Sequence, residues 1–487
     1  MDTRSPIRFG NLGIQGTAGD YPLDAPTLLR IGRGIGRWIR TQPTFNEASA
    51  AALIGHDTRA SSTSILQALA TGLMAEGITV ITAGVITTAG IAFTMQGSRF
   101  DIGIMVGLGK SPIDQNALRL FERGGYPITE EHERVIEMHI DQLVAERVAK
   151  RTGHFKRYSL LPGSDVHEKY VEHLTAWADA NALADLHVVI DCANGATHKL
   201  AFDAFRKLGA AITLINDTPD GSNQSIKAGC DHVRRDQREL LKAMKAARAD
   251  IGIALDGTGE GVVLVTPEGT LLHGDHLLGL LALEMHAAEN LPHHTIAATE
   301  VSNTGLEDFL SGSHVRVTHV DDERTLLELM RESDLRLGGD PSGRITLLDD
   351  THTFTDGLYI ALLMSWLTAQ AKHNHALTLH QAAAQIALYP QIIATAVFPQ
   401  ALDLNQIPGL AHIQLEIVAG FGGRGRTNAS FDATRSAVMV MVEGNETTTI
   451  AQITEAARHL INFIATHVEA GTVKIAVTEA TTGKPIT

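Results

Sequence analysis

Apolar residues recur at helical spacing early in the chain: Leu28, Ile31, Ile35 and Ile39 share one face, and Asp24 stands where an N-cap would. A short apolar run follows at 51–54, then the polar turn Gly55-His56-Asp57-Thr58-Arg59, a helix pattern over 64–75 and a strand pattern at 79–82. Residues 101–106 read as a buried strand ending in Gly107-Leu108-Gly109. The pattern restarts with a strand at 187–190, a helix over 198–208 closed by Gly209, and a strand at Ala211–Ile215; it repeats from Ile251–Leu255 and around 295–298. Strand–helix–strand units of this length predict parallel sheets with right-handed crossovers, hence α/β layers. Beyond about residue 375 the texture changes. There 412–418 and Ala437–Glu443 read as strands joined by a Gly/Arg loop, with a helix over 450–466, which predicts a smaller α+β unit.

Boundaries near 151–163, 256–261 and 371–377 divide the chain into 1–155, 156–256, 257–372 and 373–487. A length of 487 residues agrees with three or four units at roughly 150 residues each. Lys and Arg number 40 against 55 Asp and Glu, a formal charge of −15, so the broad basic face that phosphate-backbone binding requires is missing and nucleic acid is not an expected partner. No run reaches the roughly 18–20 apolar residues that cross a bilayer, and no apolar segment follows Met1-Asp2-Thr3-Arg4-Ser5-Pro6; a cytoplasmic, non-membrane protein is expected. Two cysteines, Cys192 and Cys230, are too few for a disulfide framework or a Cys-based zinc site.

Ligands gather beyond the carboxyl ends of parallel strands, which directs attention to the loops after Val106, Leu255, Leu337 and Ser430. Gly103 to Ser111 imitates a phosphate-binding P-loop, but Gly103 stands one residue too early. Gly420-Phe421-Gly422-Gly423-Arg424-Gly425 imitates a dinucleotide fingerprint without the helix that must follow it. Asp256-Gly257-Thr258-Gly259-Glu260-Gly261 sets two carboxylates four residues apart in a glycine-rich turn, oxygen ligands suited to a hard cation such as Mg2+ but few for a cage; an ordinary Asp-Gly turn is the alternative. The 23 histidines, with His293-His294, His373 and His375 in polar stretches, do not form a helical metal motif.

In their order these loops resemble the α-D-phosphohexomutase superfamily, phosphoglucosamine mutases most closely, over about residues 8–444. Gly10-Asn11-Leu12-Gly13-Ile14-Gln15-Gly16 resembles the opening Gly-Thr-Asp-Gly-Ile-Arg-Gly, and Gly55–Arg59 the family's Gly-x-Asp-Thr-Arg. Residues 188–195, 338–343, Thr355-Asp356-Gly357 and 440–444 match further segments. The resemblance implies four domains around a central cleft, three related α/β units and a smaller C-terminal one. It also implies transfer of a phosphate between two hexose hydroxyls through a phosphoserine, with Mg2+, and a dimer formed through the first domain.

The chemistry-bearing positions depart from that pattern. The family's Ala-Ser-His-Asn-Pro aligns with Leu108-Gly109-Lys110-Ser111-Pro112, which puts Gly109 at the nucleophile and leaves Lys110 and Ser111 as the reactive groups nearby. Asp-Gly-Asp-Gly-Asp-Arg becomes 256–261: Asp256 remains, Thr258 replaces a carboxylate, Glu260 lengthens one, and the arginine is gone. Gly-Glu-x-Ser-Gly-His becomes Gly339-Asp340-Pro341-Ser342-Gly343-Arg344, while Arg324 still matches a family arginine. The phosphate loop Ser-Gly-Thr-Glu-Pro becomes Asp432-Ala433-Thr434-Arg435-Ser436, with Asp432 where a dianion would rest. These departures point to a scaffold kept for binding a sugar or sugar phosphate, or for a structural or regulatory role. Two alternatives stand beside it: a mutase-like enzyme of carbohydrate metabolism with altered chemistry, and a diverged paralogue that acts through its surface on another protein.

Overall fold

A computed structural model describes residues 6–110, 112–145, 159–160, 163–398, 402–432, 436–468 and 473–486. The first unit is built on a sheet in the order 14–17, 115–121, 102–106, 51–56, 79–85, 159–160. The last four of these strands run parallel, and the first two join antiparallel at one edge. The helix Ala25–Thr41 buries Leu28, Ile31, Ile35 and Ile39 as their spacing predicts, and Asp24 accepts the Thr27 amide at 3.1 Å as its N-cap.

The second unit repeats the plan with the order 271–272, 262–265, 251–255, 187–191, 211–215. Its sheet runs to Leu272, past the boundary expected at 256, because Val262–Val265 folds back antiparallel on Ile251–Leu255 and Leu271–Leu272 extends that meander. The third sheet runs 316–320, 295–299, 337–339, 345–347. One continuous apolar core passes through all three units, from Leu53 and Phe121 through Val188, Ile253 and Leu278 to Leu358.

The fourth unit has its own core and an antiparallel sheet ordered 426–432, 437–443, 391–397, 475–479, covered by the helix Ile450–His467. The segment 412–418, expected as a strand, lies instead within the helix Leu410–Gly420. Ile413, Leu415 and Ile417 alternate like a strand, but Leu410 and Ile417, seven residues apart, are the buried pair and Leu415 is 68% exposed. The strand that pairs with Ala437–Glu443 is Arg426–Asp432, in the stretch expected as a connecting loop.

Candidate functional site

Each of the first three sheets ends a parallel strand and turns back into an antiparallel neighbour: 102–106 into 115–121, 251–255 into 262–265, and 337–339 into 345–347. The three connections carry Gly109, Asp256–Gly261 and Asp340–Arg344, and they meet. The Gly257 amide donates to the Gly109 carbonyl at 3.1 Å, the Val262 amide to Gly343 at 3.0 Å, and Gly261 bridges Arg344. Gly343 has φ +92°, and a Cβ there would lie 1.9 Å from the Val262 carbonyl, so only glycine permits this approach. The Thr88 and Gly357 amides, from the first and third units, donate to Thr258 and Gly259 at 3.1 and 2.9 Å.

The loop at 107–112 is clamped from below. Arg59 lies with Asp57 in a fully buried pair at 3.0 Å and donates to the carbonyls of Leu108, Lys110 and Pro112 at 2.5, 2.6 and 2.8 Å. Burial pushes the Arg59 guanidinium down, and Asp57 opposes the shift. Gln224 and Ser225 donate to the Leu108 and Gly109 carbonyls at 3.0 and 2.9 Å. At residue 109 a Cβ would stand 2.5 Å from Asp256 Oδ2 and 2.8 Å from Thr258 Oγ1. The position that the resemblance assigns to the nucleophile has no hydroxyl, and a Cβ there would require Asp256 or Thr258 to shift. Lys110 beside it is half-buried, and Ser111 lies outside the described residues.

Asp256 and Glu260 are brought together, and their lone pairs are already engaged. Asp256 Oδ1 accepts the amides of Thr258 and Glu260 at 3.0 and 2.9 Å, and Oδ2 accepts that of Gly261 at 3.0 Å. Burial raises the Asp256 carboxyl, which Arg344 and these amides resist. Glu260 Oε1 accepts the Thr88 hydroxyl at 2.5 Å and the Thr258 hydroxyl at 3.2 Å; Oε2 accepts Arg119 at 2.8 Å and Arg344. That accounts for the roughly four lone-pair directions of a carboxylate. Among the described residues no group of three or more His, Cys, Asp or Glu could hold a metal ion. The Mg2+ that the resemblance implies does not fit this donor set, because two guanidinium groups already stand at Glu260 Oε2 while amides and hydroxyls occupy Asp256 and Glu260 Oε1.

The remaining expected residues separate. Asp340 Oδ1 accepts the Ser342 amide and hydroxyl at 2.8 and 2.6 Å, so both side chains close their own turn. Arg344 reaches the centre of the cleft. Arg324 instead forms a two-pronged pair with Glu133 of the first unit, at 2.8 and 2.7 Å. It also borders a cavity of about 110 Å3 between the first and third units, lined by Asn11, Arg119, Glu133 and Phe354 among others. Asp432 ends a strand of the fourth unit, and Thr434 and Arg435 lie outside the described residues.

Sequence reasoning missed Arg119 and Glu323. Arg119 is the sole charged residue in the strand Gln115–Phe121, a signal in itself since unpaired charges are seldom buried. Glu323 stands 3.3 Å from Arg344 and 3.9 Å from Arg119; burial raises its carboxyl, and Arg119 opposes. Burial also pushes Arg344 down to about 10, with Arg119 adding to the shift, which leaves it charged at neutral pH.

Comparison with known proteins bears on the whole chain. The phosphoglucomutase/phosphomannomutase alpha/beta/alpha domains I, II and III match residues 6–147, 168–269 and 273–387. A phosphoglucosamine mutase of Solibacter usitatus is 32% identical over 438 residues, covering 90% of this chain and 94% of that protein. One from Bdellovibrio bacteriovorus is 31% identical, covering 94% and 97%. A phosphoglucomutase/phosphomannomutase family protein from Burkholderia thailandensis superposes with a TM-score of 0.74 at 20% identity, over 96% of this chain and 98% of the other. Aspergillus fumigatus N-acetylphosphoglucosamine mutase, solved with GlcNAc-6P and magnesium, has a TM-score of 0.57 at 16% identity, over 86% and 84%.

Proposed function

The chain belongs to the phosphoglucomutase/phosphomannomutase family, and on that premise we propose that it is a member that does not carry a phosphoryl group on a serine and keeps its cleft for binding or for a structural role. The observation that carries this reading is residue 109. Covalent phosphoryl storage needs a nucleophilic oxygen, and Gly109 packs so closely on Asp256 that a Cβ would lie 2.5 Å from its Oδ2. The engaged carboxylates of Asp256 and Glu260 support it, since a transferring phosphoryl group needs a cation to offset its charge.

The ligand class that suits the cleft is a sugar or sugar phosphate. A cavity bordered by Arg119, Arg324, Asn11 and Glu133 adjoins the cleft, and a phosphate or hydroxyl entering it would share the guanidinium donors now paired with Glu260 and Glu133. Incubation with a hexose 1,6-bisphosphate and Mg2+, followed by intact mass measurement, is expected to leave the protein unmodified. Stoichiometric phosphoprotein would overturn the reading. If the phosphate mapped to Ser111 and a hexose phosphate were isomerised, the chain would be a mutase with a displaced nucleophile, a reading favoured by its 32% identity to a phosphoglucosamine mutase.

A further inference from the structure

The cleft brings together six charges from three units. Arg119 comes from the strand Gln115–Phe121 and Lys110 from the neighbouring loop of the first unit; Asp256 and Glu260 come from the turn of the second; Glu323, at the start of the helix Glu323–Glu332, and Arg344 come from the third. Three are positive and three negative. Glu260 is the hub: both Arg119 and Arg344 donate to its Oε2, and both also approach Glu323, at 3.9 and 3.3 Å. All four side chains are largely shielded from water, with exposures of 12%, 6%, 24% and 10% for Arg119, Glu260, Glu323 and Arg344. The hydroxyl of Thr88 adds a further tie between the first and second units through Glu260.

We propose that Arg119 and Arg344 take the place of a divalent cation at the centre of the cleft, and that the Arg119–Glu260–Arg344–Glu323 cluster ties the first three units into one body without metal. A divalent cation needs several carboxylate or carbonyl oxygens free to converge on it. Here the two remaining carboxylates each accept several hydrogen bonds, the third ligand position is a threonine, and two guanidinium groups already supply the positive charge. Arg344 enters from the turn whose Gly343 lies against Val262, so the tight approach of the third unit to the second delivers the charge to Glu260. A guanidinium suits the task because it presents several donors in a fixed fork and can serve two carboxylates at once.

Two measurements on the full chain test this. Titration of the protein with Mn2+, followed by electron paramagnetic resonance of the free ion, is expected to show no saturable binding, and the melting temperature should be the same in Mg2+ and in EDTA. Saturable Mn2+ binding, or stabilisation by Mg2+, would overturn the proposal. Separately, Arg344→Ala and Glu260→Gln should each lower the melting temperature, and the double substitution should lower it by less than the sum of the two, the remainder reflecting the Arg119–Glu260 pair. Strict additivity would also overturn it. Arg344→Lys keeps a charge and serves if Arg344→Ala does not fold, and the Mn2+ titration of the unmodified protein needs no variant. The proposal is separable from the fate of residue 109: a phosphoprotein that ignores Mn2+ would defeat the earlier reading and leave this one standing.

Discussion

At residue 109 a missing side chain and a missing space coincide. Asp256 and Thr258 occupy the volume that a Cβ would need, and the carbonyls on both sides of Gly109 are held by Arg59, Gln224 and Ser225. A hydroxyl restored here would therefore meet Asp256 and Thr258. Gly109→Ser is expected to cost about 1–3 kcal/mol through overpacking, read as a lower urea midpoint, and to leave the protein unphosphorylated by a hexose bisphosphate. Arg59 has the opposite character, a buried charge with every partner nearby. Arg59→Ala removes the buried counter-charge of Asp57 and the donor held by the Lys110 carbonyl, and should cost on the order of 3–5 kcal/mol; a denaturation midpoint close to that of the unmodified chain would show that the loop does not depend on this clamp. That residue 109 carries no hydroxyl was legible without a fold, since glycine has none in any conformation. The crowding around it was not, because Asp256 lies far along the chain.

Among elements, the repeated strand-to-antiparallel-strand turn organises the site. Such turns tolerate little change where backbone meets backbone. Gly343→Ala places a Cβ against the Val262 carbonyl at a φ that other residues rarely adopt, so a loss of about 1 kcal/mol or more is expected, measurable as a lower melting temperature. It should also weaken the Arg344–Glu260 contact. The α/β character of the first three units was legible from periodicity, since buried parallel strands are short apolar runs and the helices between them carry one apolar face. The helix Leu410–Gly420 was not, because an alternating triple of Ile413, Leu415 and Ile417 fits both periods. Packing against the core of the fourth unit decided it.

Over the whole molecule, the units are joined by polar and aromatic contacts as well as by the shared core. Arg324 binds Glu133, Asn11 donates to Asp322 at 3.0 Å, and Arg234 donates to the carbonyls of Ala480 and Thr481 in the fourth unit. His173 of the second unit stacks between Phe93 of the first and His352 of the third, with ring centroids 4.3 and 4.4 Å apart. Burial, followed by repulsion from His352, brings His173 down to about 4, with Asp349 opposing; burial brings His276 down to about 4 as well. A folded value below the unfolded one of roughly 6.5 means that the unfolded chain binds more protons between those limits. Stability from these groups is full above about pH 6.5 and is lost as the pH falls toward 4. Buried Asp275, raised to about 7, works in the other direction, so a comparison of variants isolates the histidine. His173→Phe keeps the stack and should flatten the decline in melting temperature between pH 7 and 5; an unchanged slope would count against this assignment.

Side-chain identity settles which groups a position can offer, and here it offers glycine at 109, threonine at 258 and glycine at 261. Local periodicity settled the α/β units, because the free energy of burying one face is written into neighbouring residues. The partners of Glu260 belong to neither category. Arg119 and Arg344 stand 141 and 84 residues away from it in the chain, and Coulomb attraction depends on distance in space rather than in sequence. Only the packing of three sheets, with their turns facing one cleft, decided that a carboxylate once read as a metal ligand meets two guanidinium groups instead.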